Sequence, residues 1–230
     1  MDVRWRTPVS ARTAPAARRV PRRPKRTRDP EQKRARLMAV ARTLFAERGF
    51  AATTTADIAR GAGVSEGIVF HHFGSKAELL VAVAADYGRG LADAMFAAAP
   101  PPGAPPSAEA MLRAAFAYVR EHGALARLLK LTHDPSEKHY AQQASRTQIV
   151  SALARGLATW SAAGQVRPLD PQVTAELLFA LVEAALIECF VHGDGVREPD
   201  YLREAVRCVE GAVRPLPAHE SSTPTRRTLR

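Results

Sequence analysis

Apolar side chains recur every three or four residues along most of the chain, and no stretch alternates with period two. That pattern predicts an all-α protein. The first run places Leu37, Val40, Ala41, Leu44 and Phe45 on one face. It opens at Asp29-Pro30-Glu31-Gln32, where Asp29 can cap and Pro30 suits the first helical position, and Gly49 closes it. Further starts follow at Thr54, Ser65 and Ser75, the last opening a long helix with Leu79, Leu80, Val83, Tyr87 and Leu91. Beyond a Pro-rich break at 100–106, Ser107 opens a helix with Leu112, Phe116 and Val119, and a shorter one carries Leu125, Leu128 and Leu129. The polar stretch His133-Asp134-Pro135-Ser136 predicts a loop, and a long helix is expected from about Lys138 to Ala163. A nearly all-apolar helix over Gln172–His192 and a last one over Pro199–Val213 complete the set. The expected architecture is three short helices in front and six behind.

Charge divides the chain differently. The net charge is +10, but residues 1–29 hold ten Arg and Lys against two Asp, and residues 214–230 hold four Arg against one Glu. The stretch between them is almost neutral. The expected organisation is a disordered basic arm over 1–28, domains over 29–74 and 75–213, and a disordered tail over 214–230. The arm is expected to touch phosphate or the minor groove without choosing the sequence bound. Glu176, Glu183 and Glu188 interrupt the longest apolar stretch, which argues against a membrane span. Cys189 and Cys208 sit in apolar helical patterns with no CxxC, the start of the chain lacks an apolar signal core, and a cytoplasmic protein is expected.

Residues 54–70 carry the functional signal. Ala59 lets one short helix approach another, Gly63 suits a left-handed turn, and Ile58, Val64 and Val69 are spaced to fill the wedge between them. Ser65 is placed to cap the second helix. This is the pattern of a helix-turn-helix, whose second helix enters the DNA major groove.

The wider string resembles the N-terminal domain of TetR-type regulators: Leu44-Phe45, Gly49-Phe50, Thr53-Thr54, Asp57-Ile58-Ala59, Ala62-Gly63-Val64-Ser65, Phe70-His71-His72-Phe73, Ser75-Lys76 and Leu79-Leu80. The resemblance covers roughly 33–83. It implies a three-helix DNA-binding head and a six-helix C-terminal domain that binds a small-molecule effector and forms the homodimer. Carried over by position, Thr54 would cap the second helix and donate to phosphate, while Ser65, Glu66, Gly67 and Ile68 would open the recognition helix. His71, His72 and Lys76 would lie on phosphate. Glu66, Ile68 and Phe70 depart from the residues common there. The implied function is a repressor released from a palindromic operator by its effector. The alternative is a nonspecific or architectural DNA-binding protein driven by the basic tails.

No GxSxG, P-loop, HExxH or dinucleotide signature appears, so no catalytic residue, metal site or cofactor is expected. His133, Asp134, Glu137 and His139 share a loop without metal-ligand spacing. Gln142, Arg146 and Trp160 share a helical face with Ile149 and Leu153, and either line an effector pocket or serve as core and surface. Glu188 and His192 share a sector with Leu177 and Leu181, and would form either a polar feature inside the effector pocket or an edge of the dimer interface. Leu178, Val182, Ala185 and Leu186, with Leu202, Val206 and Val209, are the expected dimer faces.

Overall fold

A computed structural model of the chain describes residues 30–101, 104–131 and 135–215, which are helical with no strand among them. The basic arm, and the tail from residue 216 onward, lie outside the described residues. The elements are α1 (Pro30–Ala52), α2 (Thr55–Ala62), α3 (Glu66–Phe73), α4 (Lys76–Ala97), α5 (Ala108–Glu121), α6 (Gly123–Leu131), α7 (Pro135–Ala162), α8 (Pro171–Ile187), a π-helical turn (Glu188–His192) and α9 (Glu198–Val213).

The head is α1–α3 against the start of α4. Leu37, Ala41 and Phe45 of α1 meet Ile58 and Ala59 of α2 and Val69 of α3, all buried. Gly49 breaks α1 with φ 80, in the left-handed region, as the sequence predicts. At that break the buried Thr53 hydroxyl donates to the Gly49 carbonyl at 2.8 Å, with the Leu44 carbonyl also beside it at 3.2 Å.

The body is α4–α9, and α4 belongs to both parts. It lies against α7 along much of its length. Two glycines permit this: a Cβ at Gly88 would stand 2.4 Å from the Ser145 carbonyl oxygen, and one at Gly156 would stand 2.8 Å from the Phe96 ring. Since Gly88 meets Ser145 and Phe96 meets Gly156, the two helices run in the same direction.

Two local expectations change. Pro135 and Ser136 open α7 instead of ending a loop, because proline is at home in a first helical turn; His133 and Asp134 lie outside the described residues. The last turn of the 172–192 segment is π-helical rather than α-helical. Gly193 follows it closely, and a Cβ there would meet the carbonyl oxygens of Glu188 at 2.8 Å and Cys189 at 2.9 Å. Cys189 is buried, which pushes its thiol pKa up, whereas Cys208 is exposed on α9. Among the described residues no single helix is long and apolar enough to cross a membrane.

Candidate nucleic-acid interface and internal cavity

The crossing of α2 and α3 depends on Gly63, at φ 67, whose amide reaches back to the carbonyls of Ala59 and Arg60. At the start of α2, Thr54 and Asp57 form a reciprocal cap. The Asp57 amide donates to Thr54 Oγ1 at 3.1 Å, and the Thr54 hydroxyl donates to Asp57 Oδ2 at 2.7 Å. A hydroxyl has one proton, so Thr54 caps as expected but has none left for a phosphate. The same hydrogen bonds from Thr54, aided by Arg60 at 2.8 Å, hold the Asp57 carboxyl below its ordinary pKa.

Helix α3 carries the exposed residues Ser65, Glu66, Gly67, Phe70 and His71, with Ile68 and His72 half-buried. Ser65 has the extended backbone of a cap, but its side chain makes no capping hydrogen bond, a correction to the expected cap. Glu66 has a role the sequence concealed: the Thr55 hydroxyl donates to its Oε1 at 2.5 Å, so the carboxylate ties α3 to α2. Nothing lies within 4 Å of where a Cβ at Gly67 would sit, so the helix surface there is open to a close neighbour. Beside it Phe70 is 48% exposed. Burial, with His71, Arg34 and Lys33 nearby, lowers the His72 pKa below its ordinary value.

Lys76 is placed otherwise than expected. Its ammonium donates to the carbonyls of Phe50 at 3.0 Å and Thr53 at 3.1 Å, and lies 4.1 Å from the Phe50 ring centre. Rather than reaching for phosphate, it pins the first residue of α4 to the end of α1. A cation among C-terminal carbonyls also complements the dipole of α1.

Inside the body, α4–α9 enclose a cavity of about 160 Å³. Its wall is mainly aliphatic and aromatic. Tyr87, Leu91 and Met95 of α4 form one side, and Ile149, Leu153 and Leu157 of α7 another. Gln142, Arg146 and Trp160 also line it, on the same face as the buried Ile149 and Leu157. Trp160 stacks on Phe96, with ring centres 5.9 Å apart and planes 16° apart. Gln142 donates to the Leu129 carbonyl at 3.0 Å. Arg146 lies over the Phe179 ring at 5.3 Å, and its nearest carboxylate is Glu176 at 3.9 Å. The sequence reading missed Phe96 and Phe179; Gly156, a glycine inside a long helix, was the available signal that a ring packs there.

Glu188 and His192 do not reach the cavity. They pair with each other at 3.7 Å, and both side chains are more than half exposed. They share a sector with Leu177 and Leu181, as the helical spacing requires, but it is the outer one: Leu177 is 66% exposed and Leu181 37%. Conversely, Leu178, Val182 and Leu186 line the cavity, so the expected dimer face of α8 points inward. A helix apolar all round does not declare which side is covered by its own chain. Among the described residues no cluster could hold a metal ion.

A family model described as bacterial regulatory proteins, tetR family, matches residues 37–83, the segment that forms this head. This head is thus similar to the DNA-binding domain of TetR-family regulators. Over 48 residues it is 50% identical to the HTH-type transcriptional repressor KstR2 of Mycobacterium tuberculosis, a match that covers 21% of this chain and 24% of the repressor. The curated relatives are thus matched over about a quarter of their length. The whole fold is similar to a TetR-family regulator from Rhodococcus sp., with TM-score 0.64, 21% identity, and coverage of 79% of this chain and 98% of that one. It is also similar to SmeT in its complex with triclosan, with TM-score 0.57, 25% identity, and coverage of 79% and 91%.

Proposed function

We propose that this chain is a TetR-type transcriptional repressor that holds double-stranded DNA as a homodimer and lets go when a small molecule fills the cavity of α4–α9. The observation that carries the reading is the double attachment of α4. Its first residue, Lys76, is bonded to the head, while Tyr87, Leu91 and Met95 form cavity wall. A ligand that favours one position of α4 therefore favours one placement of the head. SmeT, whose fold is similar, carries triclosan in its solved complex, which supports a ligand-filled body. The protein then acts in the cytoplasm, where the DNA is. The exposed face of α3 would enter the major groove, and two heads would address half-sites one helical turn apart, roughly 34–36 Å.

The second copy would cover the outer stripe of α8: Val173, Leu177 and Leu181, each at least 37% exposed. Leu177→Glu should leave the cavity and head intact yet give a monomer at micromolar concentration, read by sedimentation. A dimer of unchanged strength would move the interface elsewhere. For the function itself, genomic footprinting with the full chain should recover a palindrome. Protection that is spread evenly over unrelated DNA and falls steeply with salt would replace the reading with nonspecific binding by the basic tails.

A further inference from the structure

Three places in the molecule hold chemistry that the proposed function leaves unassigned: the exposed Phe70 on α3, the Tyr87–Tyr118–His122 ring cluster, and Arg146 at the cavity wall. Arg146 carries an inference furthest. A guanidinium has five N–H donors in a planar fork, yet no acceptor among the described residues lies within hydrogen-bond reach of it. Glu176 stands at 3.9 Å, and its Oε1 already accepts from the Gln172 amide at 2.7 Å. The Phe179 ring supports the guanidinium at 5.3 Å without using its in-plane donors. The group is thus positioned beside an apolar cavity, partly open to water, with no hydrogen-bond partner among the described residues.

We propose that the effector is a monocarboxylic acid with an elongated apolar body, its carboxylate held by Arg146 and its far end resting on Trp160. This deepens the proposed effector role of the cavity and rests on it. A carboxylate matches the guanidinium fork with two parallel hydrogen bonds, a geometry no single-point anion reproduces. The length follows from α7, since Arg146 and Trp160 are fourteen residues apart on one lining face, about 21 Å of helix. An acid that spans them overfills the space of about 160 Å³ and enters only as the walls of α4–α9 spread. Between them the wall offers Ile149, Leu153 and Leu157, which reward apolar surface and nothing else. At the far end the Trp160–Phe96 stack presents a flat apolar platform. The acids on the wall set the charge count. Glu183, already engaged, and Glu210 would repel a second carboxylate along the body, so one anionic group at one end is the fitting pattern.

The test compares dodecanoate, dodecan-1-ol and dodecylamine, which share one apolar body, at concentrations below aggregation. Binding to the full-length protein is read by calorimetry, and release by mobility shift of its footprinted DNA. Dodecanoate should bind about tenfold more tightly than the alcohol, the scale of one charge-assisted pair. Arg146→Gln should bring the acid down to the level of the alcohol, while a melting temperature within a few degrees of the parent and continued binding of the alcohol show that the cavity still folds. Glu176→Gln removes a competing carboxylate and should tighten the acid a few-fold. An acid no tighter than the alcohol, an amine tighter than both, or an acid indifferent to Arg146→Gln overturns the carboxylate assignment while the cavity stands as an apolar site. If none of the three binds or releases DNA, the cavity reading fails as well. If Leu153→Trp, which fills the space, leaves acid binding intact, the acid sits elsewhere and the proposal falls.

Discussion

In the head, several polar side chains around α2 and α3 already have partners inside the protein. Thr54 holds Asp57, Thr55 holds Glu66, Arg60 holds Asp57, and Lys76 holds two carbonyls of the α1 end. The cavity of the body is the opposite case, with an apolar wall and a guanidinium whose donors find no acceptor among the described residues. A reading surface gains from being assembled before its target arrives, because little ordering cost is left for the binding step. A receptor gains from leaving capacity for its ligand to complete. Under the proposed function the two regions would differ in which partner satisfies them.

Removing a central ring of the head gives the largest effect. Phe45→Ala empties a fully buried site and should cost about 3–5 kcal/mol. If the head is an independently packed unit, thermal denaturation will show its transition moving down while ligand binding by the body persists. A single joint transition, with ligand binding lost in step, would merge the two regions. Next is Lys76→Met. It removes two hydrogen bonds from a cation to helix-end carbonyls and should cost about 1.5–3 kcal/mol. The decisive readout is salt dependence. A pin lowers the melting temperature and leaves the salt slope of DNA binding alone, whereas a phosphate ligand would reduce that slope by about one and leave the melting temperature alone.

How far each region could be read from sequence follows from the same contrast. The head is specified by local signals: Gly49 and Gly63 at their turns, the Thr54–Asp57 cap, and Ile58 with Val69 at helical spacing. Each acts within a few residues, so a string suffices to find it. The Thr55–Glu66 tie spans eleven residues across a turn, and in the sequence Glu66 shows only as a departure from the residue common there. The cavity has no local signature, because its wall comes from six helices whose apolar faces resemble ordinary core. Helix α8 shows the limit most clearly. Its two sides are similarly apolar, and only the placement of α4 and α7 decides that Leu178 and Val182 face in while Leu177 and Leu181 face out.

Smaller perturbations sharpen the account of the head. Thr54→Ala should cost about 1 kcal/mol through loss of the cap, and its effect on DNA affinity should follow from stability, since its proton is already committed to Asp57. Unchanged stability with weakened DNA binding would return Thr54 to the phosphate. The smallest effect belongs to His72. Its pKa is lowered in the folded protein, so as pH falls through about 6.5 the unfolded chain takes up a proton that the folded one resists. Stability contributed by the neutral ring is therefore present above that pH and declines below it. His72→Asn should flatten the decline, read as melting temperature against pH between about 5 and 8. An equally steep decline in the variant would place its cause elsewhere.

The contact at Gly88 has a mechanical meaning. With hydrogen as its only side chain, the glycine lets α4 rest on the Ser145 carbonyl, where even a methyl group would collide. Such a contact resists sliding more than tilting, so it serves as a fulcrum. The head is attached at Lys76, twelve residues away along α4, a lever arm of about 18 Å. A tilt of about ten degrees at the fulcrum carries the attachment about 3 Å, and two such arms moving apart in a dimer would change head spacing by about 6 Å against a required 34–36 Å. Gly88→Ala would jam that fulcrum by forcing the two helices apart, and so would disturb the proposed coupling between cavity and DNA from a site that lines neither.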